Sequence, residues 1–588
     1  TMSDLEPLQS STLSPTALFV VIAAFVGLVP FTALLVYKYA DRRTPIAYLL
    51  FVFVGWYSGF AGTLLLPIDI ANTLATGASA TAESPLTFVW KVVGYITMLF
   101  AWVITPFVME FRVAGGFTWC SKMKQSLKTN CTSYVVLIGI VAACVVLIVV
   151  LRLSYKTLSP MLTAVGNIYG LTFIVVLMSY GLVEIPRTLW SVCKGPSVLL
   201  KRLQFEAPTR EAELFDAITE FSSALRRVRV LEKALRDDAP PAGSAALDHG
   251  LHTILAVGNA TLAEISLSSQ WSSTIHIDTR GDGDDAPWEM DGSTVVTIST
   301  KLKRMEEVHA RIKTAGQRVR VAIEMWKRLL LNAKRMQSLV DEDGKPKTRR
   351  GLGHLWREYL GPITGKVLSV FFALMSIAIL WCEVSIGSFA VPLSPFGRVL
   401  SIIPSGESSQ VAVQAFAFVP LAYMTVCTYR SLLLVRLPFI RSFDIYSGRL
   451  TDAYALMKNA AYLCRLQFTL GVNYLSVLNM GPTWRWALGA HQTSFQLVVG
   501  RMDSVGVLRG WLGIYRIVPA VCIIVVLLVV CKIYGRILLC LGGAEMKIEP
   551  DPKNEEDRER IEEGRRLISV GLRDLGGSNA GKSGVEMT

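Results

Sequence analysis

The sequence is poor in the groups from which active sites are most often assembled. Histidine occurs six times in 588 residues, at His249, His252, His276, His309, His354 and His491, and none lies inside an apolar run. That excludes a histidine relay or a histidine metal site within a membrane. There is no Gly-x-Ser-x-Gly nucleophile turn and no His-Glu-x-x-His helix. Paired aspartates in apolar runs and Ser-His arrangements are missing as well, so the chain reads as a non-enzyme, with no metal and no cofactor implied. Zinc-knuckle spacing and arginine-aromatic recognition stretches are also absent. The net charge of +13 therefore does not point to nucleic acid. The ten cysteines all fall in apolar runs or on the side assigned below to the cytoplasm, which excludes a disulfide framework.

What the sequence has is oil in long pieces. Hydrophobic residues make up 52% of the chain and the mean hydropathy is +0.43. The distribution decides more than the total: apolar runs of membrane-crossing length recur, and a bilayer core needs about 20 residues of helix. The runs lie at about 16–37, 45–66, 88–108, 133–151, 165–183, 365–385, 411–433, 452–475 and 514–533. Lys38, Arg42 and Arg43 follow the first run, whereas Asp4 and Glu6 precede it. No Lys or Arg occurs between Pro67 and Pro85, while Arg112, Lys122, Lys124 and Lys128 follow the third run. Basic residues mark cytoplasmic loops. The expected fold is thus all-α, a polytopic bundle of about nine spans with its N-terminus outside. The expected organisation is 1–15 extracellular, 16–190 carrying spans one to five, 191–362 a cytoplasmic helical insertion, 363–540 spans six to nine, and 541–588 a polar, partly disordered cytoplasmic tail with a short surface helix. Cys540, beside the last span, is a possible acylation site.

The insertion has helical periodicity. Leu214, Ile218, Phe221, Leu225 and Val228 step by four and three; Leu302, Met305, Ile312, Val319, Ile323, Trp326, Leu330 and Ala333 lie on a second such stripe, interrupted by His309 and Gly316. Spacing of this kind on charged helices gives coiled-coil-like packing. It serves either a hairpin packing on itself or a docking surface, 196–362, for a cytoplasmic protein. Pro240-Pro241-Ala242-Gly243 breaks the helices, and 278–291 is an acidic loop.

The eighth run is too polar to face lipid. Thr451, Tyr454, Lys458, Tyr462, Arg465, Thr469 and Asn473 advance by three or four and form one stripe. A charge such as Arg465 near mid-bilayer costs about 3 kcal/mol on insertion scales. Arg465 therefore calls for a carboxylate, with Glu184 and Glu383 the nearest in depth, or for a water-filled cavity. Two readings stay open: a structural ion pair, or an anionic lipid or small lipophilic ligand held by Arg465 and Lys458. Membrane lipids are partners in either.

Several segments resemble a known family. Ser179-Tyr180-Gly181-Leu182-Val183-Glu184-Ile185-Pro186-Arg187-Thr188-Leu189-Trp190 is the most specific. Leu66-Pro67-Ile68-Asp69, Gly115-Gly116-Phe117, Trp381-Cys382-Glu383, Thr451-Asp452-Ala453-Tyr454, Cys464-Arg465-Leu466 and Ile561-Glu562-Glu563-Gly564-Arg565-Arg566-Leu567-Ile568 follow in order. These resemble the limb-region (LMBR), or lipocalin-receptor-like, membrane proteins, and within them the branch of the second LMBR-domain-containing proteins. The resemblance implies nine helices, an outside N-terminus and no enzymatic activity. It also implies a role as a membrane receptor or signalling scaffold, with regulation of G-protein-coupled receptor signalling at the plasma membrane for that branch. Transport, lipid handling or cofactor escort is the alternative implied by other branches.

Overall fold

The computed structural model describes residues 15–77, 79–81, 83–150, 158–237, 245–268, 298–340, 361–385, 394–404, 409–434, 445–446, 448–478, 491–499, 514–531, 533 and 554–583. The segments 240–243 and 278–291, Trp511 and Cys540 lie outside them. Among the described residues there is no strand, only an isolated bridge between Ala40 and Thr451. The helices are α1 (Pro15–Tyr39), α2 (Ile46–Thr76), α3 (Pro85–Leu99), α4 (Thr105–Val113), α5 (Trp119–Val150), α6 (Leu158–Val192), α7 (Pro196–Asp237), α8 (Ala245–Ser268), α9 (Ile298–Gln337), α10 (Gly361–Ser385), α11 (Pro395–Ile402), α12 (Gln410–Leu434), α13 (Ala453–Val477), α14 (Ser494–Val499), α15 (Ile514–Val530) and α16 (Glu555–Ser583). A single π-helical turn, Phe100–Ile104, joins α3 to α4.

The chain divides into two units. The first comprises 1–106, 133–191 and 364–546. Six helical stretches of the described chain are long and apolar enough to cross a membrane: Val21–Tyr39, Ile46–Thr76, Pro85–Val113, Gly170–Ser191, Gly361–Ser385 and Gln410–Leu433. Their outward faces carry Leu34, Tyr95, Leu374 and Trp381, each more than half exposed. Apolar exposure on that scale is a liability in water and is what hydrocarbon requires. The protein is a multi-pass membrane protein.

A further long helix of this unit, α13, is not among the six. It is buried around nearly its whole circumference, from Ala453 to Val477. Protein rather than lipid surrounds it, so polar residues are tolerated along its length. Close approach makes this possible. A Cβ on Gly59 of α2 would sit 1.6 Å from Leu463 of α13, and one on Gly181 of α6 would sit 2.4 Å from the Cys427 carbonyl oxygen of α12. Small residues let membrane helices touch backbone to backbone.

The second unit comprises 107–132, 192–363 and 547–588. Its core is the apolar face of α7, α8 and α9: Phe221, Val228, Ile254, Met305, Ile312 and Val319 are 0% exposed. Both interruptions of the α9 stripe have a use. Gly316 lets Thr261 of α8 lie against α9, and His309 Nδ1 sits 2.8 Å from the Gly115 carbonyl oxygen with its ring stacked on Phe117. The tail differs from the expected short surface helix. It forms the 29-residue α16, which packs Ile568 among Ala207, Leu329, Leu330 and Ala333. The reason is a close contact. Pro208 within α7 has no N–H to offer the Gln204 carbonyl four residues back. Gly564 of α16 comes so near that a Cβ there would lie 1.7 Å from that oxygen. Glu211 of α7 has its carboxyl pushed up by burial and then by Glu563 of α16.

Candidate functional site: polar groups buried among the membrane helices

Three polar clusters lie within the membrane unit, and two of them begin at a proline. Pro106 has no N–H. The carbonyls of Trp102 and Ala101, one α-turn and one π-turn earlier, are therefore short of one donor between them. In hydrocarbon such carbonyls must be satisfied from elsewhere. The tyrosine hydroxyl of Tyr134 donates to the Trp102 oxygen at 2.5 Å. Arg465 Nη2 donates to the Ala101 oxygen at 2.8 Å. The Arg465 guanidinium also lies 4.1 Å from the Trp102 ring centre and 5.5 Å from that of Tyr462. The arginine thus has a backbone dipole and aromatic faces among its partners, which the carboxylate and water cavity expected from the sequence did not include. Lys458, two turns earlier on α13, is half-buried.

Pro186 repeats the device. Its missing N–H leaves the Leu182 carbonyl without a helical donor, and Ser376 Oγ of α10 donates to it at 2.8 Å. Ser369 Oγ, two turns away, donates to the Pro186 carbonyl at 2.8 Å. Glu184, in the same segment, accepts from Thr188 Oγ1 at 2.8 Å and lies 3.7 Å from Arg187.

The third cluster centres on Asp69, which is 0% exposed. Its carboxylate accepts from the backbone amides of Ser494 at 3.1 Å and Phe495 at 2.7 Å. Trp90 Nε1 donates to it as well, at 3.1 Å, and the indole meets the Phe495 ring edge-on at 4.8 Å. Asp69 thus caps the first turn of α14 from another helix, where amides are unsatisfied and the helix dipole favours negative charge. The second apolar run as read from the sequence ends at residue 66, which leaves Asp69 outside it. The Pro-Ile-Asp spelling hints at a special position, but its partners are backbone groups 425 residues away that no local pattern reveals.

Of the residues singled out from the sequence, Glu383 and Asn473 are brought together: Asn473 Nδ2 donates to Glu383 Oε1 at 2.6 Å. Arg465 and Tyr462 share the π-turn cluster. Among the described residues no group of three or more His, Cys, Asp or Glu side chains is arranged to hold a metal ion. A cavity of about 120 Å³ is lined by Ala71, Leu400, Gln410 and Val413 among others, none of them on α13. The last turns of α16 spell Gly576-Gly577-Ser578-Asn579-Ala580-Gly581-Lys582-Ser583, the letters of a phosphate loop. They belong to a continuous helix with no strand before it, so the backbone amides a phosphate would need point along the helix.

The sequence matches the description "LMBR1-like membrane protein" over residues 17–534. It is 24% identical to LMBR1 domain-containing protein 2 homolog A of Dictyostelium discoideum, across 94% of this chain and 78% of that protein. It is 22% identical to the G-protein coupled receptor-associated protein LMBRD2 of Homo sapiens, across 91% of this chain and 81% of that protein. It is also 22% identical to the G-protein coupled receptor-associated protein LMBRD2B of Danio rerio, across 91% and 80%. No solved structure matches the chain.

Proposed function

The chain belongs to the LMBR1-like membrane protein family, and from that premise we propose that it is a non-enzymatic membrane scaffold that associates with G-protein-coupled receptors. The observation that carries the reading is its similarity, over nine-tenths of its length, to proteins named for association with such receptors. Two features support it. Residues 192–363 contribute most of a unit with its own apolar core, and α9 exposes Lys303, Arg304 and Arg311 beside Glu307, charges able to pair with receptor or effector segments. The bias of Lys and Arg toward alternate loops supports an outside N-terminus and a cytoplasmic insertion and C-terminus. The plasma membrane is the compartment in which such a scaffold meets its receptors.

The test is capture of cross-linked receptors from intact cells by the tagged full chain and by a form lacking 196–362. Receptors should be retained by the first and lost with the second at equal membrane expression. Equal recovery from both removes the insertion from the proposal, and recovery from neither overturns it.

A further inference from the structure

Buried polar side chains of the membrane unit largely end on partners, but Glu383 does so only halfway. It is 0% exposed. Oε1 accepts from Asn473 Nδ2, whereas Oε2 is sealed from solvent with no hydrogen-bond partner. Among the described residues no basic side chain pairs with it. A buried carboxylate left alone in an apolar bundle is unfavourable, and an orphaned oxygen asks for a reason. A proton or a small cation held at the carboxylate would remove the charge that burial penalises.

The groups nearest Glu383 come from α10, α13 and α15. Asn473, 2% exposed, reaches it from α13. Cys522 of α15 faces it electrostatically, and Ser179 Oγ of α6 lies 3.1 Å from that thiol. Cys382 is its neighbour on α10. The titratable groups facing Glu383 are thus two thiols, Cys382 and Cys522, while Asn473 and Ser179 carry no charge. The amide of Asn473 also brings a carbonyl oxygen.

We propose that Glu383 is an exchangeable monovalent-cation site inside the helix bundle: its carboxylate is neutralised by a proton or a sodium ion, with the Asn473 amide as its neutral partner. Intramembrane ionisable groups commonly mark ion or proton sites. The bundle would then sense the cation content of the compartment it opens to, whatever partner the scaffold serves.

The experiment compares the full chain with Glu383→Gln in lipid nanodiscs. Unfolding midpoints are measured from about pH 5.5 to 8.5, in sodium chloride and in choline chloride of equal ionic strength. The wild type should be least stable at high pH in choline. It should gain several degrees on acidification if the proton is the occupant, or on adding sodium at high pH if sodium is. Glu383→Gln, already neutral, should lack that gain, and pH effects from other groups appear in both proteins and cancel in the difference. Identical responses of the two proteins, or a wild type insensitive to both cations, overturn the proposal. If Glu383→Gln does not fold, dicyclohexylcarbodiimide labelling of the wild type decides. Labelling of the Glu383 peptide that falls with rising pH or added sodium supports the site, and labelling unaffected by either refutes it.

Discussion

The two units solve opposite problems with the same twenty side chains. The unit built from 107–132, 192–363 and 547–588 buries apolar stripes and leaves most of its charges outside. Arg318 and Glu220, 52% and 47% exposed, pair at 2.5 Å on its surface. The membrane unit turns apolar residues outward and buries Asp69, Glu383 and Asn473 to 2% exposure or less. In water, burying oil drives folding and surface ion pairs contribute little. In lipid, oil is indifferent to its neighbour, and each buried polar group must find its partner or cost the full desolvation penalty. Energetic weight therefore sits on few residues in one unit and is spread along stripes in the other.

Asp69→Ala should produce the largest effect. It leaves Trp90 Nε1 and the amides of Ser494 and Phe495 without their acceptor. At about 1–3 kcal/mol for each unsatisfied donor, little folded protein should survive detergent extraction. Size-exclusion yield and unfolding midpoint report it, and Asp69→Asn should recover part of the loss. Phe221→Ala, at the centre of the other core, should cost about 3–4 kcal/mol through the cavity it opens. If Asp69→Ala costs less than Phe221→Ala, the contrast between the units fails.

Arg465→Met should cost about 2 kcal/mol by leaving the Ala101 carbonyl bare and removing a cation from the Trp102 face. Arg465→Lys should not restore it, because an ammonium has no planar face to stack. The sharper version uses Pro106→Ala. Supplying the missing N–H should lower the cost of Arg465→Met in the double variant, a coupling that a simple arginine–carboxylate pair would not show.

Protonation gives a smaller and directional effect. Burial holds the His309 imidazole below its ordinary value, and Lys313 and Lys122 push the same way against the Gly115 carbonyl. The folded state thus binds fewer protons than the unfolded one. Stability is present above the unfolded value of about 6.5 and is lost as pH falls from there toward the folded value. Unfolding of the unit that contains α9 should come earlier at pH 5.5 than at pH 7.5, and His309→Gln should flatten the difference. Smallest of all, Arg318→Ala should change stability by no more than about 0.5 kcal/mol, measured as an unchanged midpoint.

Much of this architecture is legible in the sequence, for reasons that differ by residue. The helices and the stripe through Met305, Ile312, Val319 and Leu330 follow from period alone, because helix geometry repeats locally. That Arg465 sits in a special environment follows from its charge, but its partner does not, since the acceptor is a backbone atom on another helix. Pro106 was the available clue: a proline in an apolar run announces carbonyls in need of donors. The same clue at Pro208 and Gly564 would have foretold that α16 docks rather than frays. Glycines seven apart, Gly564 and Gly571, face Gln204 and Leu330, which dense charge around them obscured. Asp69 lay beyond reach because two of its three donors are backbone amides on a distant segment.

The cap on α14 also sets a schedule for biogenesis. Asp69 leaves the ribosome 425 residues ahead of the amides it binds. At about 5–20 residues per second, its carboxylate waits roughly twenty to eighty seconds in a half-made bundle with the Trp90 indole as its one early donor. During that interval the nascent protein carries a buried charge that quality-control factors of the membrane have time to inspect. Only arrival of the final third of the chain releases it from scrutiny.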